Sequence, residues 1–307
     1  MKKKILAVIL MLAAIDQSFA EGNSTAMQFV RVGRNPSSLA LGGSSIALAD
    51  NPYASLENMA TAAFGSRKLA AGASYQVYAP AAQKSTAIGA AALYRINDRL
   101  TVSAAFVSQK GEPYDVFTIT GVKAGTFTPG ETLISAGGAY LVTESISVGT
   151  AVHYTSQSLA EKNNLSAITF DAHAAYKSGA LAVSAGVNTI GGSVESQSHQ
   201  KYKLPASAGI SACYTILVGE KIDVSPSVQG DYFLSGGLGL SGGVQASYGQ
   251  LVCLRAGYHL GTEGSPIPSF ASVGIGAKFA GVSFDAAYLL ASETLAGSLI
   301  FGVGYAF

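Results

Sequence analysis

The 307-residue sequence has no Trp, two Cys, four His and a charged fraction of only 12%. Two cysteines cannot build a disulfide framework. No His or Cys group has the spacing of a metal site, and Gly42-Gly43 is followed by no Gly-Lys-Ser/Thr that would make a phosphate loop, so no metal and no cofactor is expected. A formal net charge of +1 leaves no electrostatic footprint for nucleic acid. Past the first twenty residues no apolar run reaches the roughly eighteen residues of a transmembrane helix. Yet the chain is 49% hydrophobic, and its charged fraction is about half that of an average soluble domain. Apolar content without long apolar runs is the composition of a membrane β-barrel, in which lipid-facing and lumen-facing residues alternate. The 36 Gly suit closely packed strands, and the 15 Tyr and 13 Phe can supply interfacial girdles without Trp.

The first residues read as an export signal over 1–20: Lys2, Lys3 and Lys4, an apolar run over 5–15, then Ser18-Phe19-Ala20. Residues 21–66 do not alternate. Gly42-Gly43 and two X-Pro breaks divide them into helical or turn-like pieces, expected as an N-terminal plug or lid in the lumen. Residues 67–307 are expected to form an all-β, antiparallel transmembrane barrel of about fourteen strands. The alternating runs lie near 68–79, 84–96, 99–109, 130–143, 145–156, 165–177, 180–190, 203–217, 221–233, 237–248, 251–261, 269–279, 282–291 and 296–307. Tight breaks such as Asn97-Asp98, Thr143-Glu144 and Ala280-Gly281 alternate with longer polar ones such as 110–129 and 191–202. That rhythm matches short periplasmic turns and long extracellular loops, and an even strand count leaves both termini periplasmic.

Facing follows from the register. Leu254, Ala256, Tyr258 and Leu260 point one way, while Arg255 and His259 point the other, with Lys278 and Asp285 on the strands that follow. A Lys or Arg facing lipid at the midplane costs about 2–4 kcal/mol, so the charged face is the lumen, and His153, Asp171 and His173 join it. These residues are expected as lumen packing and not as an active site, because nothing pairs them with a nucleophile; no enzyme is expected. Cys213 and Cys253 lie on strands three apart, on the order of 14 Å around the wall, too far for a disulfide. Pro226, inside a run, predicts a bulge or fray, and with the Gly-rich stretch 236–243 it marks the expected place of any lateral gap. The final residues carry Phe301, Val303, Tyr305 and Phe307 on one face, an ending that resembles the C-terminal signal read by the barrel-assembly machinery.

At 35–60 the residues Pro36-Ser37-Ser38-Leu39-Ala40-Leu41-Gly42-Gly43, then Ile46 to Ala49 with Asp50-Asn51-Pro52-Tyr53, then Asn58, resemble the N-terminal signature of the PorV/PorQ family, barrels related to the long-chain fatty-acid transporter FadL. Asn58-Met59-Ala60 stands where that family usually has Asn-Pro-Ala. Collinear similarities include Phe170-Asp171, Val187-Asn188, Leu204-Pro205, Arg255-Ala256-Gly257-Tyr258 and Asp285-Ala286-Ala287-Tyr288. The resemblance implies an outer-membrane barrel of type IX secretion that binds secreted or surface-anchored proteins, with a sortase and proteins bearing C-terminal signal domains as partners and membrane lipid around it. The alternative is a FadL-like transporter of hydrophobic small molecules. Replacing Phe307→Ala, or adding a short polar extension, is expected to lower the heat-modifiable barrel recovered in outer-membrane fractions severalfold while export continues.

Overall fold

Alternation of large apolar and small or polar residues sets the architecture of the wall, because only a closed sheet leaves one face for an apolar surround and no unpaired edge. The computed structural model describes residues 25–46, 48, 50–78, 84–160, 163–196, 199–249, 251–292 and 295–307. The export signal over 1–20 and the start of the plug lie outside the described residues. The wall strands are β1 Leu69–Tyr78, β2 Ser85–Arg95, β3 Leu100–Gly111, β4 Gly130–Thr143, β5 Ile146–Ala160, β6 Asn163–Ser178 and β7 Leu181–Ile190. They continue as β8 Ser207–Tyr214 with its extension Ile216–Val218, β9 Ile222–Phe233, β10 Leu238–Tyr248, β11 Val252–Gly261, β12 Phe270–Phe279, β13 Val282–Leu290 and β14 Leu299–Ala306. The sheet has fifteen ladder segments; β8 and its extension count as one wall strand, which leaves a closed antiparallel barrel of fourteen. Neighbours in sequence pair throughout, and β1 against β14, from Ala70↔Ala306 to Val77↔Leu299, closes the cylinder.

The expected facing is the observed one. Leu254 is 60% and Phe284 62% exposed on the outside, whereas His259 is 3% exposed within. Exposed tyrosines ring both ends of the outer face: Tyr94, Tyr140, Tyr176, Tyr214, Tyr248 and Tyr305 near the short turns, and Tyr154, Tyr232 and Tyr288 toward the long connections. Two long connections are more ordered than their polarity suggests. Tyr114–Phe117 pairs with Lys123–Phe127, and Val194–Glu195 pairs with Lys201–Tyr202. Pro226 produces no bulge: it stays in register with Val244 of β10. Its effect falls on the other side, where β8 is interrupted at Thr215, beside the missing N–H. Cys213 and Cys253 are free thiols.

Inside the barrel the chain from Thr25 to Arg67 forms short turns: a 3-10 turn Gln28–Arg31, α1 Pro36–Leu39, α2 Ala54–Glu57 and a 3-10 turn Met59–Phe64. None is long or apolar enough to cross a membrane. Asn35 caps α1 by accepting from Ser37 N at 3.0 Å, with Pro36 at the first helical position. This segment presses its backbone directly against the wall, and the wall has glycine where it does so. A Cβ on Gly243 would lie 2.7 Å from the Leu41 carbonyl oxygen, and one on Gly149 2.5 Å from Ala60 N. On Gly257 it would collide with the Gly42 amide, and on Gly274 with the Ala40 methyl. Adding a methyl group to a packed contact costs about 1–3 kcal/mol. Gly257→Ala is therefore expected to lower the thermal midpoint of heat modifiability by several degrees, while Gly242→Ala, whose Cβ meets open space, leaves it within error.

Candidate functional site

The lumen is the candidate site, and the plug divides it. Toward the short turns lies a cavity of about 550 Å³, bounded by Asn35, Ser37, Asn51 and Pro52 of the plug and by Asp223, Gln245, Arg255, Lys278 and Asp285 of the wall. Toward the long connections lie two smaller spaces of about 80 and 30 Å³ that share Ser45, Glu57, Asn188, Gln229 and Asp231.

Each residue of the plug motif holds the partition in place. Leu41 is fully buried over Gly243. Gly42 has φ +69, donates its N–H to Ser272 Oγ at 3.2 Å, and has no room for a Cβ against the Tyr258 carbonyl. Gly43 follows at φ +95. Asp50 Oδ1 accepts from Ser66 N and Arg67 N at 2.9 and 3.1 Å, fastening the end of the plug to the approach of β1. Asn51 Oδ1 accepts from Asn35 Nδ2 at 3.0 Å and from Tyr53 N at 2.9 Å. The Pro52 carbonyl accepts from Ser103 Oγ at 3.1 Å, and Asn58 Nδ2 donates to Ser184 Oγ at 2.8 Å.

The lumen residues separate into two groups. Arg255, Lys278 and Asp285 line the larger cavity, with Arg255 Nη1 donating to Asp285 Oδ1 at 2.7 Å and Ser37 Oγ reaching the same oxygen at 3.0 Å. His259 accompanies the other side, its Nδ1 2.9 Å from Ser241 Oγ. His153, Asp171 and His173 form one buried cluster that pins a bulge. Phe170↔Ile190 and Ala172↔Val187 differ by one residue in register, so Asn188 and Thr189 together face Asp171. Thr189 has φ 56, unfavourable for a β-branched residue. Asp171 Oδ1 holds it by accepting its N–H at 2.6 Å, while His153 Nε2 lies 3.1 Å from Asp171 Oδ2 and His173 Nε2 3.0 Å from Asn188 Oδ1.

The bulge has a consequence for the wall. β7 stops at Ile190, whereas β6 begins at Asn163 and pairs with β5 along its whole length. The stretch of β6 ahead of Phe170 thus has no ladder partner on its β7 side. Beyond Ile190 the chain turns inward. Val194 and Leu204 pack with Ala26, Met27, Phe29, Val107, Leu133 and Leu165 in an apolar cluster behind the gap, and Ala26 N donates to the Lys203 carbonyl at 2.9 Å. The gap expected near Pro226 and 236–243 is absent there, since β9, β10 and β11 pair without interruption; a proline can be absorbed by one lost bond, whereas an extra residue displaces the ladder. Phe301, Val303, Tyr305 and Phe307 all face outward.

Three participants are not evident from sequence pattern. Arg34, 3% exposed, donates through Nη1 to Gln76 Oε1, Tyr78 Oη and Gln109 Oε1 at 3.1–3.3 Å and through Nη2 to the Phe29 carbonyl at 2.9 Å. Arg31 pairs with Asp231 at 3.5 Å. Glu57 accepts from Asn51 Nδ2 at 2.6 Å and lies 2.5 Å from Ser38 Oγ. Three of the few charged residues of the plug segment, Arg31, Arg34 and Glu57, were the available signal. Burial pushes the Glu57 carboxyl up from its ordinary 4.5 to about 7, against the hydrogen bonds from Ser38 and Asn51. A raised value favours the protonated folded form, so this contribution to plug docking is complete below about 4.5 and is lost as pH rises through about 7. Arg34→Met keeps the bulk but leaves Gln109 Oε1 without its donor, while Gln76 retains the Tyr78 hydroxyl, at a cost of about 1–3 kcal/mol. Tryptic clipping after Arg31 is expected to accelerate more than about tenfold while the barrel stays heat-modifiable.

No family model and no curated protein matches the sequence. Among solved structures, the chain is similar to the toluene transporter TbuX of Ralstonia pickettii (TM-score 0.62, 16% identity, covering 91% of this chain and 100% of that one). It is also similar to the toluene transporter TodX of Pseudomonas putida (0.60, 16%, 88% and 96%) and to a FadL homologue of Pseudomonas aeruginosa (0.54, 13%, 94% and 97%). At such identities the likeness concerns the fold alone, a closed antiparallel barrel with an inner N-terminal segment.

Proposed function

We propose that this chain is an outer-membrane conduit for hydrophobic small molecules, with both termini periplasmic. The observation that carries the reading is the break in the ladder between β6 and β7, backed by the apolar cluster of Met27, Phe29, Val107, Leu133, Leu165, Val194 and Leu204. An apolar molecule that displaces this buried cluster from the long-connection side meets side chains that match it, and the unpaired edge of β6 beside the cluster offers a way out that avoids the polar cavity below the plug. The likeness to two toluene transporters supports this reading over a secretion role. The chain's own residues would bind and desolvate the cargo; no chemical step is required of them.

A second reading, protein binding in type IX secretion as the 35–60 signature implies, draws on the hairpin Tyr114–Phe117/Lys123–Phe127. Its tip exposes Phe117, Ile119 and Val122, a surface suited to an apolar partner. The two readings part in a direct assay. In a host lacking its own hydrophobic conduits, expression is expected to raise uptake of radiolabelled toluene, and Leu165→Gln, at the gap, to reduce the gain at least about fivefold at equal barrel abundance. Uptake equal to the empty host, with secreted proteins co-purifying, would favour the second reading.

A further inference from the structure

Among the described residues, Glu57 is the plug carboxyl group that stands between the two sides of the lumen. It ties α1 to α2 through Ser38 and Asn51, and Asn51 in turn accepts from Asn35. Asn35 and Asn51 border the 550 Å³ cavity, and Glu57 borders both spaces on the other side. This knot is therefore a partition that one side chain closes.

The proton count at Ser38 defines its state. Ser38 Oγ lies 3.1 Å from the Asn35 carbonyl and 2.5 Å from Glu57 Oε1, and both neighbours are acceptors if Glu57 is ionised. A serine hydroxyl has one proton. Both contacts are satisfied together only when Glu57 carries the second, donating to Ser38 Oγ while Ser38 donates to the Asn35 carbonyl. Nor is there, among the described residues, a counter-ion for a carboxylate here. Of the charged and titratable groups around it, Arg31 is paired with Asp231 of β9 and Arg34 with wall amides and Tyr78. His173 of β6 is engaged by Asn188 and His259 of β11 by Ser241, and Tyr53 is a neutral phenol beneath it. A part-buried carboxylate with no counter-ion, lining both smaller spaces, draws in water or a cation.

We infer that Glu57 is a proton-operated latch: protonated, it seals the two sides of the lumen from each other, and ionised, it loosens the α1–α2 knot and joins them by a water path. The latch goes beyond the conduit reading, since it governs water and small ions whatever the cargo. The purified full-length protein in planar lipid bilayers tests it. Potassium chloride conductance is expected to rise at least about fivefold between pH about 5 and about 9 in the wild type, and Glu57→Gln, which keeps the hydrogen bonds and cannot ionise, to stay at the low value throughout. A flat wild-type profile, or an unchanged rise in Glu57→Gln from the histidines instead, overturns the latch. Should Glu57→Gln fail to assemble, infrared spectra of the wild type decide: a protonated-carboxyl band must disappear over the same pH interval, and its absence at the acid end or persistence at the alkaline end refutes it.

Discussion

Phe307 donates its N–H to the Leu69 carbonyl at 3.0 Å and accepts through its own carbonyl from Lys68 and Leu69, and the ladder from Ala70↔Ala306 to Val77↔Leu299 follows from there. Everything else depends on that seam. An apolar outer surface excludes water, so each wall amide needs a partner within the sheet, and only union of first and last strand supplies one. Closure fixes the strand number, and strand number fixes the lumen's width. The lumen is too wide for wall side chains alone to fill it, so the chain ahead of β1 fills the remainder.

How that segment is held differs along its length. From Pro36 to Phe64 the attachment is largely backbone against glycine, with Asn58, Pro52 and Ser103 adding hydrogen bonds. From Thr25 to Arg34 it rests on side chains: Gln157 receiving the Met27 amide, Arg34 gathering three wall acceptors, Arg31 on Asp231. The first mode tolerates almost no displacement, because contacts at such range vanish within an ångström. The second can be exchanged bond by bond.

Much of this was legible in the sequence. Period-two alternation located every wall strand, because burial and exposure swap at each residue of a barrel and nothing competes with that signal. The inward face of Arg255, His259 and Asp171 followed from the cost of charge in lipid. Glycines 149, 243, 257 and 274 read only as small residues, since their reason lies in a plug some hundred or two hundred residues away. The β6–β7 gap escaped for a different cause: Asn188-Thr189 looks like ordinary strand, and its bulge exists because Asp171, on another strand, offers Thr189 an acceptor. Glu57 belongs to the same class, for its neighbours Ser38 and Asn51 gather around it only when the plug folds.

The meeting of Ala40 with Gly274, where a Cβ on the glycine would overlap the alanine methyl, bears on how such a chain can change. The two positions share one van der Waals volume, although one belongs to a buried inner turn and the other to a wall strand far along the chain. A side chain at 274 requires a smaller residue at 40, and a larger residue at 40 has nothing left to displace at 274, so tolerance to substitution is apportioned across the lumen. Two stretches that look independently variable in the linear chain are bound to drift as a pair.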